Sequence, residues 1–135
     1  MDEIYIAAMQ EHLAQLAEEL EELSALLEVS ERLPQLIYRG AERNLQLLTE
    51  ACIGIAKQTL KSRALAVPSD ARQSFIKLRA LGLDPTDADW NRIIGLRNAL
   101  VHDYLNFDPA VVLQIIKARK YQVLLDFAFG ILRSC

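Results

Sequence analysis

A chain of 135 residues that is 52% hydrophobic and 24% charged is long enough for one domain with its own core, too short for two, and too apolar to be disordered. Five glycines and four prolines are few for an all-β chain rich in turns. The net charge of −3 hides a division: residues 1–31 hold nine acids and no Lys or Arg, for −9, while the other nine acids and all fifteen bases leave +6 over residues 32–135.

The larger, basic part is basic enough to meet a polyanion, and the acidic first segment is not. A plain solvated face explains those acids equally well. No apolar run approaches the roughly 18 residues of a membrane-crossing helix, FAFGIL near the end being typical. The chain opens MDEIYIAAMQE, with two acids where a secretory leader carries bases, so a cytoplasmic protein is expected. Cys52, in an apolar stretch, and Cys135, at the tail, form neither a CxxC pair nor a disulfide framework. Cys52 is expected in the core.

Ile6, Met9, Leu13, Leu16, Leu20, Leu23 and Leu27 are spaced three and four apart, a heptad seam that predicts a long first helix with a narrow apolar stripe. Such a stripe suits an antiparallel bundle or a partner helix, with the glutamates and His12 toward water. After Glu31 and Pro34 the pattern resumes from Leu36 to Leu60, which predicts a second helix over about 35–63. Its bases Arg39, Arg43, Lys57, Lys61 and Arg63 outnumber its acids Glu42 and Glu50. Val67 to Asp70 has turn and helix-starting chemistry, opening a third helix with Phe75, Ile76, Leu78 and Leu81 that Gly82 stops. That helix is basic through Arg72, Lys77 and Arg79.

Asp84 before Pro85 has the chemistry of an N-cap with proline at the first helical position, which predicts a fourth helix from there to about Leu105. Asp87 and Asp89 would suit the positive end of its dipole. Asp108 and Pro109 repeat the signal and open a fifth helix carrying Val112, Ile115, Ile116, Val123, Phe127 and Ile131. No segment alternates with period two for long. The expected architecture is one domain over residues 1–135, an antiparallel bundle of about five helices.

The stretch RNALVHDY, residues 97–104, places an arginine in an apolar helix. With Arg97 at 0° and roughly 100° per residue, Trp90, Ile93, Ile94, Leu96, Leu100, Val101 and Leu105 fall between about −100° and 80°. Arg97 is near the middle of that arc. A guanidinium does not lose its proton, so it needs a carboxylate, a phosphate or a wet interface opposite it. Tyr104, at about −20°, shares the face, while His102 at about 140° and Asn98 at about 100° lie side by side at its edge. Gly95 and Ala99 continue beyond them as small residues that let another helix approach. A site using both Arg97 and His102 must wrap around the helix edge or be completed by a second copy. The plain alternative is a buried Arg97 paired with an acid such as Asp126, with His102 and Tyr104 as ordinary boundary residues.

RNALVHDY, followed by the helix start FDPAVV, resembles the RxxxxHxY motif of HEPN ribonuclease toxins, most nearly the HepT branch that is paired with a minimal nucleotidyltransferase antitoxin of the MntA type. YRGAERNLQLLTEACIGIAKQ and PSDARQSFIKL resemble the second and third helices of that branch, and the likeness covers nearly all of the chain. It implies a HEPN-like helical bundle that dimerises with two motifs facing each other across a cleft. It also implies a type VII toxin that cuts RNA, often tRNA, without a metal, and that its antitoxin silences by adenylylating the motif tyrosine. On this sequence the motif falls on Arg97 and His102 as catalytic residues, Asn98 as the polar follower, and Tyr104 as the modified tyrosine.

The residue chemistry is compatible with that implication. An imidazole suits proton transfer near neutral pH, and arginine suits a permanent clamp on phosphate oxygens. Asn98, one turn before His102, could orient the imidazole or a ribose. Arg39, Arg43, Arg72 and Arg79 are the candidates for guiding an RNA backbone. No Cys, His or carboxylate cluster has metal-ligand spacing and no GxxxxGK[ST] loop is present, so no metal and no cofactor is expected. The rival to an endoribonuclease is a non-catalytic HEPN-fold module that binds a nucleotide or a protein. A coiled-coil adaptor organised by the first helix is a third possibility.

Overall fold

The computed structural model describes the backbone of residues 1–135 and every side chain except that of Tyr104. Its helices are α1 (Glu3–Val29), α2 (Gln35–Ser62), α3 (Ala71–Ala80), α4 (Trp90–His102), α5 (Pro109–Lys117) and α6 (Gln122–Arg133), with a 3₁₀ turn at Tyr104–Asn106. No strand occurs among the described residues. The all-α bundle is as expected, with six α-helices in place of five.

The heptad seam of α1 is its inward face: Leu13, Leu16, Leu20, Leu23 and Leu27 are buried. α2 answers with Tyr38, Ala41, Leu45, Leu48, Cys52, Ile55 and Thr59 at the same spacing, all buried. It touches every other α-helix and so forms the axis of the bundle. Asp70 and Asp108 cap α3 and α5 as their sequence predicts, each accepting from the backbone N–H two residues on. Gly82, at φ +72°, closes α3 in the left-handed conformation that glycine adopts without steric cost. Cys52 is buried and Cys135 exposed. No helix among the described residues is long and apolar enough to cross a membrane.

The predicted fifth helix is two helices. After α5 the Lys120 N–H donates to the Ile115 carbonyl (3.0 Å) and the Arg119 N–H to that of Ile116 (3.1 Å), a Schellman closure with Arg119 at φ +54°. Neither glycine nor proline marks the break, because its support is tertiary. The Arg119 guanidinium pairs with Glu21 and Glu28 of α1, the latter at 3.5 Å. The Arg119 contact holds the Glu21 carboxyl below its usual range. Beside it Ser24 and the buried Tyr121 hydroxyl share a 2.7 Å hydrogen bond, and Ser24 Oγ donates to the Ile116 carbonyl at 3.1 Å.

Asp84 does not cap α4, which begins five residues beyond Pro85, at Trp90, with Asp89 as its N-cap. The Asp84 carboxylate is wholly buried and serves as a hub. Oδ1 accepts from the Thr86 N–H (3.0 Å) and hydroxyl (2.6 Å), and Oδ2 accepts from Trp90 Nε1 (2.8 Å) and pairs with Arg79 Nε (3.2 Å). The Thr86 bonds mimic a cap without a helix behind it, since an aspartate that bonds its own backbone two residues on makes a turn equally well. The Trp90 ring stacks on Phe75 at 3.7 Å and 7°, and Phe127 of α6 packs edgewise against both. Asp84→Ala should lower the unfolding free energy by about 3 kcal/mol, because it leaves the indole N–H and a half-exposed guanidinium without their acceptor. Urea denaturation would measure it, and a loss below about 1 kcal/mol would show that water replaces the hub.

Candidate active site

α4 packs against α2 and α3 and leads into the 3₁₀ turn, and at its first residue the Trp90 ring also meets Phe127 of α6. One flank of a helix of thirteen residues is therefore left uncovered by its own chain. Its buried residues are Trp90, Ile94 and Leu100, which bracket Arg97 on the helical wheel. Arg97 itself is half-buried, and its Nε is sealed from solvent without a hydrogen-bond partner among the described side chains.

The ion pairs among the described residues are Arg79–Asp84, Arg119–Glu21 and Arg119–Glu28. The pairing of Arg97 with Asp126 is not among them: Asp126 is exposed on α6 and accepts from Gln122 at 2.9 Å. Asn98 is half-buried and His102, the last residue of α4, is exposed. All three lie on the C-terminal half of one helix, with Arg97 directed inward and His102 on the open side.

The helix ends three residues before its predicted limit of Leu105. Asp103 leaves the helical conformation (φ −143°, ψ 32°) while its N–H still donates to the Ala99 carbonyl. The Asn106 side chain then donates to Asp103 Oδ1 (2.9 Å) and its backbone N–H to the Asp103 carbonyl (3.1 Å), which fixes the 3₁₀ turn after His102. This corrects the expected extent of α4, the helix on which Tyr104 was expected to share the Arg97 face. The Tyr104 side chain lies outside the described residues. The Asp103–Asn106 pair was readable as turn chemistry, aspartate and asparagine being turn formers, but was absorbed into the helix pattern.

The basic candidates separate. Arg39 and Arg43 are exposed near the start of α2. Arg72 is half-buried beside Asp87, Asp89 and Trp90 at the start of α4, about 18 Å along that helix from His102. Arg79 is committed to the loop before α4, where its Nη2 donates to the carbonyls of Thr86 (3.0 Å) and Ala88 (2.6 Å) besides the Asp84 pair. Lys57 and Lys77 likewise donate to carbonyls of the α2–α3 loop, Ser69 (3.3 Å) and Ala66 (2.8 Å). Among the described residues no group of three or more His, Cys, Asp or Glu side chains is gathered to hold a metal ion.

The profile of the family described as "Ribonuclease HepT-like" matches residues 9–128, most of the chain and all of α4. The chain belongs to the HepT-like ribonuclease family. It is 34% identical over 76 residues to the protein named mRNA nuclease HepT from Shewanella oneidensis, a match over 55% of this chain and 57% of that protein. The chain thus spans just over half the length of that relative. A chain from a crystal structure described as a toxin–antitoxin with AMP-PNP has a similar fold, with a TM-score of 0.74 at 21% identity over 95% of this chain and 99% of that one. Membership of this family agrees with the family expected from RNALVHDY.

If Arg97 is held for function and not for folding, Arg97→Met should keep the unfolding free energy or raise it by up to about 1 kcal/mol, since a flexible apolar side chain replaces a charge with an unpartnered Nε. Chemical denaturation checks this, and a loss above about 2 kcal/mol would make the guanidinium part of the core's own support.

Proposed function

We propose that this chain is the ribonuclease toxin of a type VII toxin–antitoxin pair, a metal-independent RNA endonuclease that acts as a homodimer. The carrying observation is the half-buried Arg97, its Nε unpartnered among the described side chains, on the helix that also presents His102 at its open end, in a chain of the HepT-like family. Arg97 and His102 are five residues apart, about 7.5 Å along the axis and about 140° around it, so one α4 does not aim both at one phosphate. A second copy of the exposed α4 flank supplies the opposing group.

In this mechanism the ribose 2′-OH attacks the adjacent phosphorus, its proton passes to an imidazole, and the 5′-oxygen leaves with a proton from an acid. His102 and its partner copy are the proton carriers, Arg97 binds the non-bridging oxygens of the charged phosphorane, and Asn98 orients the imidazole or the ribose. Arg39 and Arg43 guide the RNA backbone, with Arg72 farther along, while Arg79 contributes chiefly to the loop it holds. The substrate class is tRNA. The Shewanella oneidensis relative is named an mRNA nuclease, so mRNA is the second class to test.

The silencing step is adenylylation of Tyr104 by a nucleotidyltransferase antitoxin of the MntA type: the phenol oxygen attacks the α-phosphorus of ATP and pyrophosphate leaves. A toxin–antitoxin chain of like fold was solved with AMP-PNP, an ATP analogue, which supports a nucleotide-using partner. Two residues beyond His102, the added phosphate and nucleoside would stand where RNA must enter.

Incubation with tRNA and with mRNA in chelator should give 2′,3′-cyclic phosphate and 5′-OH ends. His102→Ala and Arg97→Ala should each slow cleavage by about 10²-fold or more. Products ending in 3′-OH, or cleavage abolished by chelator, would overturn the mechanism. Tyr104→Phe should cleave within a few-fold of wild type yet resist silencing by antitoxin and ATP, and equal silencing of the variant would place the modification elsewhere.

A further inference from the structure

The α1–α2 hairpin carries a groove that neither the core nor the RxxxxH residues use. Glu19, Glu22 and Leu26 of α1 face Ile37, Gly40 and Asn44 of α2 across about 230 Å³. That is below the roughly 300–1,000 Å³ of small-molecule pockets, so the groove suits side chains of another helix better than a free ligand.

Each side of it lacks something. Leu26 and Ile37 remain 42% and 38% exposed although large and apolar. Asn44 is buried and its Nδ2 donates to the Gly40 carbonyl at 2.9 Å, yet its Oδ1 has no partner among the described residues. A buried acceptor without a donor is costly and rare in a finished structure. Gly40 has ordinary helical backbone, and a Cβ added there would meet nothing within 4 Å. Glycine weakens a helix relative to alanine, so the fold has no use for it here, while an approaching neighbour does.

The rim gives the sign of that neighbour. Glu19 and Glu22 lie in a segment of nine acids without a base, and the Arg119 guanidinium is engaged by Glu21 and Glu28. An RNA backbone would be repelled, and α1 of a second copy would bring like charges together. We propose that this groove docks an amphipathic helix of a partner protein, with apolar side chains seated on Leu26 and Ile37 and Lys or Arg donors reaching Glu19 and Glu22. The site is independent of the cleavage chemistry on α4.

The test uses the full chain and a fluorescein-labelled peptide of about 18 residues, with leucines along one helical face and lysines elsewhere, beside a scrambled peptide of the same composition. The helical probe should bind at least about tenfold more tightly than the scrambled one. Gly40→Leu, which fills the groove, should weaken it by about tenfold or more with the thermal midpoint and far-UV dichroism kept. Leu26→Ser, at a half-exposed position, is the second variant and should act in the same direction. Equal binding of the scrambled peptide, or binding indifferent to both variants, would reduce the effect to bulk charge and overturn the proposal. A fall in sedimentation mass of the peptide-free chain on Gly40→Leu would overturn it too, by making a second copy the occupant.

Discussion

The buried Asp84 carboxylate decides where α4, the helix of Arg97 and His102, begins. By accepting from Thr86 and Trp90 and pairing with Arg79, it folds the segment after α3 into a turn and delivers the Trp90 ring onto Phe75. A charge this deep is stable only because each oxygen has donors, and those donors come from α3, the loop and α4. The hub therefore ties the angular setting of α4 to α3. Because α4 otherwise rests on α2 and, through Trp90, on Phe127 of α6, that setting helps determine which of its faces is sealed and which stays open.

On the sealed side the chain accepts a cost. Arg97 occupies a position where leucine would pack, and its Nε finds no acceptor within the described residues. An unpaired buried polar atom of this kind costs stability, and in proteins generally such departures concentrate at functional sites. The same holds, more mildly, for the open C-terminal end, where His102, Leu105 and Val101 are left to solvent or to a partner.

Where hydrophobic spacing alone sets the structure, the sequence was a sufficient guide. The heptad of α1, the extent of α2, the caps at Asp70 and Asp108 and the stop at Gly82 are local patterns, and they appear as written. Elements set by long-range contacts were not legible. Arg119 ends α5 in a conformation costly for a side chain, supported by glutamates about a hundred positions away in the chain, and no local residue announces it. Asp84 bears the same local signature as a helix cap and was read as one. Its indole and guanidinium partners, which change its role, become neighbours only in the folded chain. Motif and wheel single out Arg97 and His102 as candidates, but the end of α4 before Leu105 depends on the turn that Asp103 and Asn106 create.

The lysines that staple the α2–α3 loop divide the protein's electrostatics by distance. Lys57 and Lys77 give their hydrogen bonds to neutral carbonyls, which leaves their charge undiminished. Short of contact but within a Debye length of about 8 Å, a polyanion would sense them as part of the local positive field, weakened by salt like any other. At contact they are already occupied, and a strand would have to draw them off their loop to be touched by them. Attraction at a distance and contact would thus fall to different cations, and a count of basic residues measures only the first.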